Sequence, residues 1–152
     1  ADEVLRLMEA KAQEEGVRLE AELSPGLAPV VMDPDGIQRC LMNLLGNAID
    51  ACRDNAAAGR DKRVALRTVA VKAGGIEYRV VDNGCGMGDD VQQRLFQSFF
   101  STKGTDGTGI GLMMTKRIVD QHLGTVEVES RPGEGTTMVI RLPAGPSADR
   151  KP

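Results

Sequence analysis

The chain has 152 residues, 41% of them hydrophobic, and carries 19 Lys and Arg against 22 Asp and Glu, which gives a formal net charge of -3. This composition is sufficient for one domain with its own core, while the balanced charge and the lack of an apolar run of roughly 20 residues argue against nucleic-acid binding and direct membrane contact. The three cysteines form no C-x-x-C pair, so neither a disulfide framework nor a zinc site is indicated, and a reducing, cytoplasmic setting fits best.

A helical repeat of apolar residues opens the chain. It predicts a helix over residues 2–15 that ends at Gly16, because glycine is common directly after a helix C-terminus. Since the chain begins inside this repeat, we expect residues 1–15 to be the end of a longer helix and the chain to be a fragment. The residues of the repeat are Val4, Leu5, Met8 and Ala12.

Two strands and a long helix are predicted next. Alternating polarity over residues 17–23 is typical of a half-buried strand, and the run Val30-Val31-Met32 predicts a short buried strand. Asp33 and Pro34 then supply a side-chain cap and a favoured first residue for a helix that reaches Cys52.

Two asparagines lie one turn apart on this predicted helix. Its apolar residues form a single stripe at about 100° per residue, and Asn43 and Asn47 lie away from the centre of that stripe. Gly36 and Cys40 share their side. We therefore expect two amides to be presented side by side on a face that is not part of the core.

The second half of the chain alternates strands with short helices. Most strands pair with their sequence neighbours, so the predicted fold is an α/β two-layer sandwich with a mixed, mostly antiparallel sheet and helices on one face. Residues 144–152 are expected to form a loose tail. The predicted elements are strands over 64–71 and 76–81, a short helix from Gly88 through Leu95, a helix over 109–122 that Thr108 caps and Gly124 stops, and a final hairpin of 125–129 and 136–142.

Two glycine clusters lie between the strand that ends at Asp82 and the helix that follows. Ordering a glycine costs more backbone freedom than ordering any other residue, so we expect a phosphate chain to approach this backbone closely. A P-loop is excluded because no Gly-Lys-Ser/Thr run exists, and a dinucleotide fingerprint is disfavoured because its third glycine would fall at Asp89. The clusters are Gly84, Gly86 and Gly88, then Gly104, Gly107, Gly109 and Gly111.

The chemistry around the clusters favours a nucleotide. A carboxylate at position 82 only accepts hydrogen bonds, so it suits an exocyclic amine such as that of adenine. The second cluster offers free N–H groups at the positive end of a helix to phosphates, and Lys103 adds a cation on the loop. The side-chain oxygen of Asn47 could complete a Mg2+ shell made mostly of phosphate oxygens and water.

Four ordered motifs resemble the N box, first glycine box, F box and second glycine box of sensor histidine kinases. The resemblance covers nearly the whole chain, and the Phe99-Phe100-Ser101-Thr102-Lys103 run leans toward the nitrogen-regulator branch. The segments His122-Leu123-Gly124 and Gly135-Thr136-Thr137 also resemble the C-terminal part of that domain. The four motifs are Asn43-Leu44-Leu45-Gly46-Asn47-Ala48, Asp82-Asn83-Gly84-Cys85-Gly86-Met87, Phe96 to Lys103, and Gly107-Thr108-Gly109-Ile110-Gly111-Leu112.

The resemblance implies a Bergerat-type ATP-binding fold over residues 16–143, with residues 88–107 as a lid over ATP and Mg2+. Residues 1–15 would then end the preceding dimerisation or linker helix. The residues that it assigns to nucleotide binding are Asn43, Asn47, Asp82, Gly84, Gly86, Met87, Lys103, Gly107, Thr108, Gly109, Ile110, Gly111, Leu112 and Thr136, of which Asn43 and Lys103 are also assigned to catalysis and Asn47 to the metal.

The residue at position 43 favours phosphoryl transfer over hydrolysis. Hydrolytic relatives place a Glu there, which takes a proton from attacking water, whereas the amide of Asn43 cannot. The resemblance places the acceptor histidine on the dimerisation domain of a homodimeric protein, with a response regulator downstream, and leaves His122 a structural role. It also allows the full-length protein a membrane anchor. An ATP-hydrolysing switch and a nucleotide-sensing module without transfer activity remain the alternatives. Many histidine kinases carry a Lys where this chain has Asp50, so we expect Lys103 to bear more of the phosphate contact.

Overall fold

A five-stranded mixed sheet forms one layer of the protein, and helices pack on it as the other layer. The computed structural model describes residues 1–55, 59–72, 74–97 and 109–144. The elements are α1 (Asp2–Glu14), β1 (Arg18–Leu23), α2 (Pro34–Arg53), β2 (Arg63–Val71), β3 (Gly75–Asp82), α3 (Asp89–Arg94), α4 (Gly111–Gln121), β4 (Thr125–Arg131) and β5 (Gly135–Leu142). This architecture confirms the predicted two-layer α/β sandwich.

The register of the strands brings three polar residues into one row. The strands lie in the order β1-β2-β3-β5-β4, with β1 and β2 parallel and the other neighbours antiparallel. Asp82 at the end of β3 pairs with Thr136 on β5, which pairs in turn with Ser130 on β4. Paired residues point to the same face of a sheet, and Val80, two residues before Asp82, belongs to the core. The row therefore faces the helices.

Helix α2 is packed on two sides. Its start is as predicted: Asp33 Oδ1 accepts a hydrogen bond from Asp35 N at 3.1 Å, and Pro34 is the first helical residue. One side of the helix lies on β2 and β3. The other side lies on α4, so closely that a Cβ atom on Gly36 would be 3.2 Å from Ile118 Cγ2.

The expectation that the side of α2 with Gly36 and Cys40 lies outside the core is wrong. Both residues are buried, because α4 runs antiparallel along this side and covers it. Cys40 Sγ donates to Thr115 O at 3.9 Å, and the Asn43 amide donates to Thr115 Oγ1 at 3.1 Å. Asn43 and Asn47 are half-buried. The small residues on this side thus serve helix packing.

The short strand predicted at Val30-Val31-Met32 is wrong. Val30 and Met32 do pack against the core and Val31 is 74% exposed, so the alternation is real. These residues have no strand assignment, and none of the described strands pairs with them. Instead, Asp33 N donates to His122 Nε2 at 2.8 Å and ties the segment to the end of α4. An inward-outward pattern without a neighbouring strand gives a packed loop.

Both ends of α4 differ from the prediction. The helix begins at Gly111 rather than at Gly109, and the residue before it, Ile110, makes no side-chain cap; Thr108, the predicted cap, lies outside the described residues. At the other end the left-handed residue is Leu123, with φ 56°, rather than Gly124. Gly124 is required for space, since a Cβ atom there would lie 2.4 Å from Arg141 O and 2.9 Å from Val119 Cγ1.

Helix α1 shares the core of the domain. Val4, Met8 and Ala12 are buried in it, and Lys11 Nζ lies 2.8 Å from Asp50 Oδ1 on α2. The predicted boundaries after residues 15 and 143 stay predictions, and residues 145–152 of the predicted tail lie outside the described residues. Within the described ranges, no helix has both the length and the apolar character to cross a membrane.

Replacing Gly124 should test the close approach of α4 to β5. We expect Gly124→Ala to lower the free energy of unfolding by about 1–3 kcal/mol, because the added methyl group meets backbone that cannot move aside. Gly46→Ala is the control: its Cβ atom would make only ordinary contacts, at 3.7 Å or more, so alanine in this helix should add about 0.5–1 kcal/mol. Urea unfolding measures both, and equal midpoints for the two variants would contradict the packing described.

Candidate functional site

A buried carboxylate lies at the end of β3. Asp82 is 8% exposed, and its Oδ1 accepts hydrogen bonds from Gly84 N at 2.8 Å and from Thr136 N at 3.3 Å. Burial raises the pKa of Asp82 from 3.8 to about 6, although the two backbone N–H donors pull it downward. A carboxylate kept in this position at a cost to folding is a candidate functional group.

Ser130 supports this carboxylate, and the sequence analysis did not single it out. Its Oγ accepts from Met87 N at 2.9 Å, donates to Gly135 O at 3.0 Å and lies 2.7 Å from Thr136 Oγ1. Since its one hydrogen is given to Gly135, the Thr136 hydroxyl can donate to Ser130. The alternating pattern of β4, continued by one residue, would put Ser130 on the inner face. Its position beside Thr136 depends on the register of β4 on β5.

The first glycine cluster allows the backbone to fold tightly upon itself. A Cβ atom on Gly84 would lie 2.6 Å from the carbonyl carbon of Ala51 on α2, and one on Gly86 would lie 1.9 Å from Arg131 O. Gly86 also has φ 66°, which favours glycine. Cys85 N donates to Ala51 O at 3.1 Å. The close approach at these two glycines is made by the protein's own backbone, and their contact with a nucleotide stays a prediction.

The start of α4 is fitted to Asn43. A Cβ atom on Gly111 would lie 2.2 Å from Asn43 Oδ1, so glycine is required for the amide to lie against the first turn of α4. The first hydrogen bond within the helix runs from Met114 N to Ile110 O, at 2.9 Å. The N–H groups of Gly111 and Leu112 precede it and have no acceptor four residues earlier in the helix. Such an end is suited to an anion.

Helix α2 thus joins the two halves of the site. The strand-end half contacts α2 at Ala51, and the helix-start half contacts it at Asn43. Phe96 is partly buried and packs against the core. The predicted site residues in the described ranges are Asn43, Asn47, Asp82, Gly84, Gly86, Met87, Gly109, Ile110, Gly111, Leu112 and Thr136, whereas Lys103, Gly107 and Thr108, like residues 98–107 of the predicted lid, lie outside them.

Two further residues have structural contacts. Asp50 is 8% exposed and pairs with Lys11 on α1, so the carboxylate at this position attaches α1 to α2. His122 is bonded through both ring nitrogens: Nε2 accepts from Asp33 N, and Nδ1 lies 2.7 Å from Ile118 O, to which it can donate as the Nδ1–H tautomer. The histidine therefore ties the end of α4 to the start of α2.

The donor set fits a metal only if a ligand supplies most of the coordination. In the described parts of the chain, no group of three or more His, Cys, Asp or Glu side chains could hold a metal ion. Asn47 lies one turn beyond Asn43 on α2 and offers one neutral oxygen. Mg2+ binds proteins through few protein ligands when phosphate oxygens and water complete its shell, which agrees with a single amide oxygen at Asn47.

Removing the charge of Asp82 should stabilise the protein at neutral pH. Folding raises the pKa of Asp82 to about 6. The stability that its protonated carboxyl group contributes is therefore fully present below about pH 4 and is lost as pH rises through about 6, which lowers the free energy of unfolding by up to about 3 kcal/mol. We expect the free energy of unfolding of Asp82→Asn, relative to that of the parent, to increase by about 1–3 kcal/mol from pH 4 to pH 8. Urea unfolding at both pH values measures this difference, and a difference independent of pH would contradict the burial of an ionised carboxylate.

Comparison with known proteins agrees with this geometry. Residues 32–146 match the model of the histidine kinase-, DNA gyrase B-, and HSP90-like ATPase family. The sensor histidine kinase ZraS of Klebsiella oxytoca is 34% identical over 139 residues, which are 91% of this chain and 29% of ZraS. The sensor protein FixL of Bradyrhizobium diazoefficiens is 40% identical over 135 residues, or 89% of this chain and 26% of FixL. The chain therefore spans less than a third of these relatives.

Solved structures show the same fold. The catalytic domain of the histidine kinase ThkA, in a nucleotide-free form, superposes with a TM-score of 0.79 at 26% identity, covering 95% of this chain and 92% of that domain. Full-length ShkA in complex with AMPPNP superposes with a TM-score of 0.82 at 27% identity, covering 97% of this chain and 30% of ShkA. The chain belongs to the family of histidine kinase-, DNA gyrase B- and HSP90-like ATPases.

Proposed function

We propose that the chain is the catalytic ATP-binding domain of a sensor histidine kinase, which binds Mg-ATP and donates the γ-phosphoryl group to a histidine on another domain. The observation that carries this proposal is the pairing of a buried carboxylate, Asp82, with the start of α4, where Ile110 makes no side-chain cap, both held by α2. One half suits a base with an amine and the other suits a phosphate chain. ShkA, similar in fold, was solved with the ATP analogue AMPPNP.

Asp82 is the group that selects the base. Its carboxylate lies on the inner face of the sheet, where an adenine amine can donate to it, and a buried charge makes such a bond stronger than in water. Thr136 N and Gly84 N already hold Oδ1, so the orientation of the carboxyl group is fixed before a ligand arrives. The Thr136 hydroxyl beside it is a second polar group for the base.

The start of α4 is the group that holds the phosphates. The N–H groups of Gly111 and Leu112 and the positive end of the helix dipole favour an anion there. Lys103, Gly107 and Thr108 are proposed to complete this part of the site, as the family motifs predict. Asn47 is proposed to hold Mg2+, which would neutralise phosphate charge during transfer.

The environment of Asn43 supports a transferase rather than a hydrolase. Its amide donates to Thr115 Oγ1 and its oxygen lies against Gly111, so the side chain packs α2 against α4 at the phosphate end. An amide in that position cannot take a proton from water. The domain would then act by positioning ATP and neutralising charge.

The partners follow from the relatives. These sensor kinases are several times longer than this chain, so the acceptor histidine is proposed to lie on a dimerisation domain of the same homodimeric protein. A response regulator is the proposed next acceptor of the phosphoryl group.

Calorimetry with AMPPNP tests the nucleotide site. We expect the parent to bind more tightly with Mg2+ than without it, and Asp82→Asn to weaken binding about ten- to a hundredfold, since one hydrogen bond to a charged group is lost. Asn47→Asp should change the dependence on Mg2+ because it adds a charged oxygen at the proposed metal position. Asp120→Asn is the matched control, since Asp120 pairs only with Lys116 on the surface of α4 in the described residues.

The outcomes separate the candidate functions. If Asp82→Asn binds as tightly as the parent, the adenine pocket is wrong. ATP turnover by the isolated domain that is lost in Asn43→Ala would favour a hydrolytic switch instead. ATP binding without phosphohistidine formation, when the domain is joined to its preceding dimerisation segment, would favour a nucleotide-sensing module.

A further inference from the structure

A single side-chain amide ties the short helix α3 to the hairpin of β4 and β5. We propose that Gln92 is a positioning residue for the nucleotide base, which fixes the loop at Met87 against the edge of the Asp82 pocket. The inference rests on the proposed function, because it assumes that a base binds at Asp82. Gln92 lies within the predicted lid but outside the four family motifs and the predicted site residues.

The contacts of Gln92 are specific. Its Nε2 donates to Met87 O at 3.0 Å and to Ser130 O at 3.0 Å. An amide NH2 group has two hydrogens, so both are used on backbone carbonyls of two different segments. Gln92 is half-buried, in contrast to Gln93, which is exposed on the same helix. The bridge therefore links α3, the loop before it and the end of β4.

The peptide groups on both sides of Met87 are held against β4. Met87 N donates to Ser130 Oγ, and Met87 O accepts from Gln92. Ser130 Oγ contacts Thr136, whose N–H donates to Asp82 Oδ1. An unbroken series of hydrogen bonds thus runs from Gln92 to the carboxylate that is proposed to bind the base. Displacement of Met87 would disturb Ser130 and, through Thr136, the surroundings of this carboxylate.

Helix α3 is short and lies at the surface, so its attachment through Gln92 bears on its position. It has six residues, none of them buried, and its first residue has no side-chain cap. A helix this short is not stable by itself in water. Leu95, 7% exposed, anchors its far end in the core. Gln92 attaches the helix to Met87 O and Ser130 O, and with Ser130 Oγ it holds the loop at Met87.

A role at the base has a distinct signature. If Gln92 positions Met87 at the base, its loss weakens the binding of ADP and of AMPPNP by the same factor, because both carry the same adenine. A role exerted through the phosphate end would instead give a loss that differs between the two nucleotides. A purely structural role would lower the fraction of competent protein, and hence the binding stoichiometry, but not the dissociation constant.

The test is calorimetric titration of Gln92→Ala and Gln93→Ala with ADP and with AMPPNP. We expect Gln92→Ala to raise the dissociation constant about five- to tenfold for both nucleotides at unchanged stoichiometry, since about one net hydrogen bond is lost. Gln93→Ala should bind like the parent. Gln92→Met keeps the size of the side chain without its donors and should show the same rise in the dissociation constant. It replaces Gln92→Ala in the test if the alanine variant does not fold.

A dissociation constant for Gln92→Ala and Gln92→Met within twofold of Gln93→Ala would overturn the inference, as would a loss seen with only one nucleotide. Ser130→Ala should weaken both nucleotides as well, and Ser130→Thr, which keeps the hydroxyl, should restore binding. A parent protein that binds neither nucleotide would instead contradict the proposed function, so the two failures are distinguishable.

Discussion

The structure depends on holding one carboxylate where water solvates it poorly. Asp82 ends a central strand, and β5 comes so close beside it that a Cβ atom on Gly135 would lie 2.0 Å from Asp82 O. Two backbone N–H groups offset part of the cost of burial, yet its pKa remains raised to about 6. The ionised carboxylate destabilises the fold, and a ligand that donates a hydrogen bond to it would stabilise this buried anion. Stability and binding therefore oppose each other at this residue.

Helix α2 places this carboxylate relative to the rest of the site. It contacts the loop after β3 at Ala51, the first turn of α4 at Gly111 and α1 through Asp50. Each contact involves a small residue or an ion pair, because helices and loops must approach closely around one axis. A shift of α2 would change the separation of the base and phosphate halves. The residues that carry the chemistry and those that set the packing are interleaved along one helix.

The sequence predicted what local pattern and ordered motifs determine. Asp33 and Pro34 start α2 where expected, and Asp82 ends its strand. The strand predicted at residue 31 was wrong because alternation does not reveal whether a neighbouring strand exists. Residues that act through distant partners, such as Ser130 and Gln92, were missed because their contacts depend on the register of β4 on β5 and on the turn before α3. The glycine clusters were predicted to admit a ligand, whereas the protein's own backbone makes the close approach at Gly84 and Gly86.

The central claim is that Asp82 is ionised and receives a hydrogen bond when a nucleotide binds. Its carboxyl carbon can be followed by nuclear magnetic resonance across pH, with and without saturating AMPPNP, and assigned with Asp82→Asn. We predict titration near pH 6 in the free protein and a clearly lower pKa in the complex, because the bound amine stabilises the ionised form. The same pKa in both states would contradict a direct contact between this carboxylate and the base.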